Sequence, residues 1–295
     1  MRVTESMRLA NHQRYLNEIA GKLDDTQRQL ASGRKIERAS DDPTAAAVAL
    51  HYRRDIAYEA QMRRNIESGI AFMNVTEAAL EGATETLQRI RELTVQASND
   101  TLSPAERQTI AREVDQLIRH LAQIANTQFG DAYIFSGTAT DTPAYSITGD
   151  PPTAITYQGD SGLRVRQISR EAQVPVNLVG SQVFGTTFDD LIALRDALAS
   201  GALGPAIEPS LSAIDASLDR VLSARAELGA RINRFEAALQ QSETTDLNLQ
   251  QLRSDVEDVD LAQAIVRLSS EEVALQAALG AIGRASSLTL LDYLR

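Results

Sequence analysis

Leu261, Ile265, Leu268, Leu275, Leu279 and Ile282 stand in alternating steps of four and three, interrupted only where Glu272 takes a place in the row. Steps averaging 3.5 residues lay one narrow apolar seam along a helix. Ala264, Ala274, Ala278 and Ala281 flank that seam and let a neighbouring helix come close. A seam on a single helix can leave water only against another helix. Residues 256–294 are therefore expected to be a helix that needs a partner, from elsewhere in the chain or from a second copy.

The N-terminus offers one. Leu9, Leu16, Leu23 and Leu30 recur every seven residues, with Ile19 three beyond Leu16, and Ser32-Gly33 ends the pattern. Ser40-Asp41-Asp42-Pro43 then places a capping residue before a proline suited to the first helical turn. Ile66, Met73, Leu80 and Leu87 keep the interval of seven, which predicts one long helix over 43–98, with Gly69 and Gly82 as candidate kinks. Ser103-Pro104-Ala105-Glu106 reads as a capping box. Ile110, Val114, Leu117, Leu121 and Ile124 follow it in 4,3 steps, so a third helix is expected to end near Gln128.

The texture changes over residues 130–185, which hold four of the eight prolines, seven of the sixteen glycines and five of the thirteen aromatics. Residues 154–157, a turn at Gln158-Gly159-Asp160, and residues 163–166 read as a hairpin with alternating faces. Residues 172–178 suit an edge strand, because Pro175 lacks the donor that a central strand needs. Helix is expected to resume over 188–199, capped by Thr187. After Gly201 and Gly204 the longest seam runs through Ile207, Leu211, Ile214, Leu218, Val221, Leu228, Ile232, Phe235 and Leu239, with Arg225 alone out of pattern. Residues 244–253 read as a polar joint to the C-terminal helix.

The expected fold is mainly α: a long antiparallel helical bundle or coiled coil built from both chain arms, with a small β-rich inserted outer domain. Its expected parts are an N-terminal core segment (1–42), a rod-like helical part (43–129 and 187–254), the insert (130–186) and a C-terminal core helix (255–295). Charge favours the pairing of the arms. Residues 1–38 carry eight Lys/Arg and five Asp/Glu, whereas residues 243–295 carry four Arg and nine Asp/Glu. Each exposed pair would add only about 0.3 to 0.5 kcal/mol, so charge selects partners more than it stabilises them.

Composition excludes several classes of chemistry. Without cysteine there is no disulfide, thiol nucleophile or thiolate metal site. A net charge of −11 argues against nucleic acid and anionic membrane as partners. Only Lys22 and Lys35 are lysines among 29 basic residues, so nearly all positive charge is guanidinium and suits forked contacts at protein interfaces. No apolar run would span a bilayer, and Arg2, Glu5, Arg8, Arg14 and Glu18 leave no secretory signal core. By these rules alone the chain is expected in the cytoplasm. His12, His51 and His120 lie on separate segments without ligand spacing, so no metal is expected. Asp41-Asp42 and Glu257-Asp258-Asp260 each precede a helix, where carboxylates answer the helix dipole. Ser161 lies in a turn with no base placed to activate it, and no phosphate loop, dinucleotide fingerprint or nucleophile elbow occurs. Catalysis and cofactors are not expected.

Two signatures then point to a family. Leu30-Ala31-Ser32-Gly33-Arg34-Lys35-Ile36 with Ala39-Ser40-Asp41-Asp42-Pro43 resembles the N-terminal signature of the flagellin superfamily. Residues 258–264 (Asp258, Asp260) and 274–279 (Leu275, Gln276) resemble its C-terminal signature. Within the superfamily, Pro43, residues 133–138 and the ending Leu290-Leu291-Asp292-Tyr293-Leu294-Arg295 are closer to the hook–filament junction proteins (the FlgL or hook-associated protein 3 branch) than to filament subunits. The resemblance implies an extracellular protein of the bacterial flagellum, exported unfolded through the flagellar type III apparatus without a cleaved signal. That would replace the cytoplasmic expectation. It implies as partners the first, FlgK-like hook-associated protein, flagellin, further copies of the chain in a ring, and a cytoplasmic export chaperone at the C-terminal helix. The competing readings are a flagellin filament subunit and, from another class, a type III translocator or needle-tip protein. Seams left open in the monomer would stay disordered, so residues 1–40 and 255–295 are expected to fray in the free protein.

Overall fold

The computed structural model describes residues 5–99 and 101–293, with the side chains at 5, 6, 8, 9, 205 and 285–293 outside the description. The order is α1 (Glu5–Ser32), α2 (Pro43–Ala97), α3 (Pro104–Ala125), β1 (Gln128–Phe129), β2 (Ala132–Tyr133), β3 (Tyr145–Thr148), β4 (Ala154–Tyr157), β5 (Val165–Gln167), β6 (Gln173–Pro175), α4 (Gly180–Val183), α5 (Thr187–Ala199), α6 (Gly204–Glu257) and α7 (Leu261–Tyr293). Long helices from both arms thus enclose a small strand-bearing region in the middle of the sequence. The chain divides into two compact units, one of residues 1–58 with 245–295 and one of residues 59–244.

In the unit of residues 59–244 the heptad rows of α2 and α6 face inward. Ile66, Met73, Leu80 and Leu87 of α2 are fully buried, and Ile207, Ile214, Val221, Leu228 and Phe235 of α6 are at most 2% exposed. Arg225, the break in the α6 row, reaches Glu77 of α2 at 2.8 Å, so the interruption is filled by a matching charge. At Gly69 the side of α2 meets the Phe235 ring directly: a Cβ there would lie 2.5 Å from it. The glycine therefore serves as a socket for that ring rather than as a kink.

Helix α3 opens with the expected box. Ser103 Oγ accepts from Glu106 N–H, and the Glu106 carboxylate accepts from Ser103 N–H at 2.7 Å. Replacing Ser103 with Ala should cost about 1 kcal/mol of thermal or denaturant stability, the usual value of a lost cap.

Several expectations are corrected. Residues 154–157 pair with β3, not with residues 163–166, and β5 pairs with β6, so the strands form three separate two-stranded antiparallel sheets among the described residues. The turn at Gln158-Gly159-Asp160 is not a hairpin turn, because Asp160 accepts from the N–H groups of Thr138 and Gly162 and closes a wider loop. Thr187 is buried inside the first turn of α5, and Thr186 takes the cap position. The polar stretch 244–253 is no joint, since α6 continues through it to Glu257. Helix α3 ends at Ala125, earlier than the Gln128 expected, because Gln128 already pairs in β1.

Three arginines fasten loops by their main-chain oxygens. Arg107, only 2% exposed, donates to Ala202 O at 3.0 Å and to Gly201 O and Asn99 O at 3.3 Å, tying the turn after α2 to the turn before α6. Arg195 donates to Pro152 O at 2.7 Å and to Asp115 Oδ1 at 3.0 Å. Arg231 donates to Asn177 O at 2.9 Å and Pro175 O at 3.3 Å. Each uses the planar fork that lysine lacks, which gives the arginine-rich composition a role inside the molecule.

Candidate assembly site at the meeting of the terminal segments

In the unit of residues 1–58 and 245–295, α1 and α7 pack against each other. The pair is antiparallel: Val259 before α7 bonds to Gly33 after α1, and Lys22 within α1 feels the charge of Glu271 within α7. On α1 the half-buried apolar residues include Leu16, Ile19, Leu23 and Leu30, with Thr26 fully buried among them. The Leu9 side chain lies outside the described residues.

On α7 the seam is split. Leu268, Leu275 and Ile282 are half-buried, but Leu261, Ile265 and Leu279 are 54%, 57% and 54% exposed. The buried positions alongside are Ala264, at 1% exposure, and the half-buried Glu271 and Ala278. The α1-facing stripe is thus 264, 268, 271, 275, 278 and 282, one step around the helix from the apolar row. Small side chains permit the closer approach, and Leu261, Ile265 and Leu279 are left facing outward together with Val266 and Val273, at 70% and 62% exposure.

The roots of the two arms are joined. Gly33, with φ +70°, ends α1 in the left-handed conformation that glycine adopts without strain. Its carbonyl accepts from Val259 N–H at 3.0 Å, and Lys35 N–H donates to Glu257 O at 2.6 Å, which makes Arg34 and Asp258 partners in an antiparallel bridge. The Glu257 carboxylate, 4% exposed, takes Arg53 Nη2 at 2.9 Å and Nε at 2.8 Å. Glu257 was expected to answer the dipole of the helix that follows. Instead it closes α6 and neutralises Arg53 of α2.

Of the remaining signature carboxylates Asp42 and Asp260 cap helices, whereas Asp41 closes a turn and Asp258 accepts from Ser254 Oγ. Asp42 Oδ1 accepts from Thr44 and Ala45 N–H, both at 3.0 Å, with Pro43 opening α2. Asp260 Oδ1 accepts from Ala262 and Gln263 N–H at the start of α7. Asp41 Oδ2 accepts from Glu37 and Arg38 N–H and closes the linker turn. Ser32 Oγ accepts weakly from Arg34 N–H, and Ser40 and Gln276 are exposed. So the structure brings Gly33 and Asp258 together and leaves Ser40 and Gln276 outside the contact. Arg53 and Thr26 are the members that the sequence patterns did not single out, and Glu257 was singled out for a different role. The apolar row hid Thr26, and nothing local links Arg53 to Glu257.

Hydrogen bonds from backbone N–H groups hold Asp41 below the usual carboxylate range. The Ser103 backbone and hydroxyl do the same for Glu106, and the Thr138 hydroxyl and backbone for Asp160. A depressed carboxylate stabilises the fold while ionised, and that contribution is lost as pH falls through its folded-state value. The helical signal should therefore hold down to the ordinary carboxylate region near about pH 4 and decline below it. Asp160→Asn should flatten its share of that decline in a pH titration followed by circular dichroism.

Among the described residues, no group of three or more His, Asp or Glu side chains is placed to hold a metal ion, and no helix is long and apolar enough to cross a membrane. What the geometry offers is surface: two paired terminal helices with an apolar stripe outward. That arrangement is one of a helical protein whose terminal segments pair and leave an apolar stripe exposed.

Comparison with known proteins makes the class specific. Residues 3–140 match the bacterial flagellin N-terminal helical region and residues 211–294 the C-terminal helical region. The 30.7 kDa flagellar filament core protein of Treponema maltophilum is 32% identical over 88% of this chain and 87% of its own. Flagellar hook-associated protein 3 of Escherichia coli K12 is 27% identical over 90% of each chain. Of solved structures, a flagellar hook-associated protein from Vibrio parahaemolyticus matches with a TM-score of 0.69 at 23% identity, over 74% of this chain and 100% of its own. Bacillus cereus FlgL matches with a TM-score of 0.61 at 24% identity, over 69% and 99%. These likenesses establish a shared fold. The chain belongs to the bacterial flagellin family and is a structural protein of the flagellum.

Proposed function

We propose that this chain is the junction adaptor that joins the hook, through a FlgK-like first hook-associated protein, to the flagellin filament. The observation that carries the reading is the segment Tyr133 to Thr138, which resembles the entry of junction proteins into their outer domain. Ile134 and Phe135 are fully buried there. Phe135 O accepts from Gly180 N–H at 2.9 Å and from the Tyr157 hydroxyl at 3.0 Å, and Ser136 O accepts from Asp160 N–H at 3.1 Å. The segment is the knot around which a small strand-bearing region closes. The Asp42 cap with Pro43 at the first turn of α2 supports the same branch.

In this reading the protein is extracellular, exported by the flagellar type III route, and set in a ring of copies. The outward residues Leu261, Ile265, Val266, Val273 and Leu279 of α7 then meet neighbouring subunits, or an export chaperone before assembly. A second reading, filament subunit, is favoured by the 32% identity to a Treponema maltophilum filament core protein.

A strain lacking the gene separates the two. Cells that still build hooks but release flagellin into the medium mark a junction adaptor. Hooks with no filament and no released flagellin mark the filament subunit. Normal swimming would exclude both and return the translocator reading.

A further inference from the structure

We propose that Arg53 and Glu257 are positioning residues that hold the two terminal arms together at their roots, so that α1 and α7 enter assembly as one registered pair. The proposal rests on the assembly reading above.

The need for such a device follows from the seams. Leu16, Leu23 and Leu30 on α1 repeat every seven residues, as do Leu268, Leu275 and Ile282 on α7. Sliding one helix past the other by seven residues would bring leucine to nearly the same neighbours. Apolar repetition of this kind stabilises pairing but selects register poorly, and polar or charged contacts normally make the choice. The exposed ion pairs along α1, such as Lys22 with Glu18 and Arg28 with Asp24, close within that helix, and the charge of Glu271 felt at Lys22 is screened by solvent and selects register weakly.

At the roots the register is defined. Lys35 N–H to Glu257 O and Val259 N–H to Gly33 O bracket the facing pair Arg34 and Asp258. A slip of one residue would break both bonds and reverse the facing of every side chain in the bridge. Glu257 cannot leave this arrangement freely. Its side chain is 4% exposed, its carboxylate is held by Arg53, and the same residue supplies the carbonyl that Lys35 binds. An unpartnered carboxylate in that position would be costly, so Arg53 keeps Glu257 in place and Glu257 keeps the linker after α1 in place. Beyond the bridge the helices are free to fray and re-form, but they re-form in one register.

The absence of cysteine permits a direct test. The bonds flank Arg34 and Asp258 rather than joining them, so the two are a non-hydrogen-bonded antiparallel pair with Cα atoms about 4.5 Å apart, within the span of a disulfide. The double variant Arg34→Cys, Asp258→Cys should therefore oxidise readily to an intramolecular disulfide in dilute purified protein. Arg53→Met should speed amide exchange at Lys35 and Val259 by about tenfold or more. It should also weaken attachment of purified protein to hook-bearing cells by about tenfold, as the registered pair becomes a minor state.

Attachment should return in the charge swap Arg53→Glu, Glu257→Arg, and in Arg53→Met carrying the oxidised 34–258 disulfide. A general loss of fold would not be rescued by a covalent link at the bridge. Failure of the disulfide to form, unaltered attachment of Arg53→Met, or failure of the locked chain to attach would each overturn the proposal. If the unsubstituted protein itself never attaches while the disulfide still forms, the assembly reading falls, and the role of the closure in assembly falls with it.

Discussion

Replacing Arg195 with Met should lower the stability of the 59–244 unit by about 3 kcal/mol, a large effect for one surface-length side chain. The guanidinium is 8% exposed and spans three elements. It donates to Asp115 Oδ1 on α3, to Asp196 beside it on α5, and to Pro152 O in the turn between β3 and β4. Its removal leaves Asp115, only 12% exposed in its side chain, with Arg119 alone. The Pro152 carbonyl loses its donor in a buried setting. Thermal unfolding should shift down by roughly 6–12 °C, given the usual 2–4 °C per kcal/mol for a domain of this size. Asp115→Asn in the Arg195→Met background should cost less than Asp115→Asn alone, because the charge it removes has already lost its buried partner and keeps only Arg119. A strictly additive cycle would show that the network is not a unit.

Phe235→Ala should be of similar size, about 3–5 kcal/mol, since the ring is fully buried and seated over Gly69. The informative partner is Gly69→Ala. In the natural background its methyl would have to displace a ring atom at 2.5 Å, and overpacking of this kind typically costs about 1–3 kcal/mol. With Phe235 already removed, the clash is gone and alanine recovers about 1 kcal/mol of helix propensity over glycine. The sign of Gly69→Ala should therefore reverse between the two backgrounds in urea unfolding. The same sign in both would mean that the ring and the glycine do not define the helix spacing.

The helical part of this fold was largely legible in the sequence because heptad spacing is a local code. Ile66 to Leu87 and Ile207 to Phe235 announce their burial by interval alone, and Ser103 with Glu106 announces a cap. The strand pairing was not legible. Residues 154–157 sit between two candidate partners, and the turn residues after them favoured the wrong one, because Asp160 serves the amides of Thr138 and Gly162 from across the loop. Nor was the contact face of α7. Ranking by size selects Ile265 and Leu279, whereas close packing of two helices selects Ala264 and Ala278. The Arg53–Glu257 pair joins residues 204 apart in sequence, a distance over which spacing carries no information.

The arginine clamps have an evolutionary consequence. Arg107, Arg195 and Arg231 grip carbonyl oxygens at Gly201, Ala202, Asn99, Pro152, Pro175 and Asn177, and a carbonyl oxygen is the same whichever residue carries it. Through these oxygens the clamps read the path of the chain and not the side chains that the gripped loops carry. Substitutions that keep that path leave the grip intact, so the outward faces of the strands can drift in sequence while the region stays moored. A surface exposed on a flagellum could diversify in this way without renegotiating how it is attached to the helices beneath.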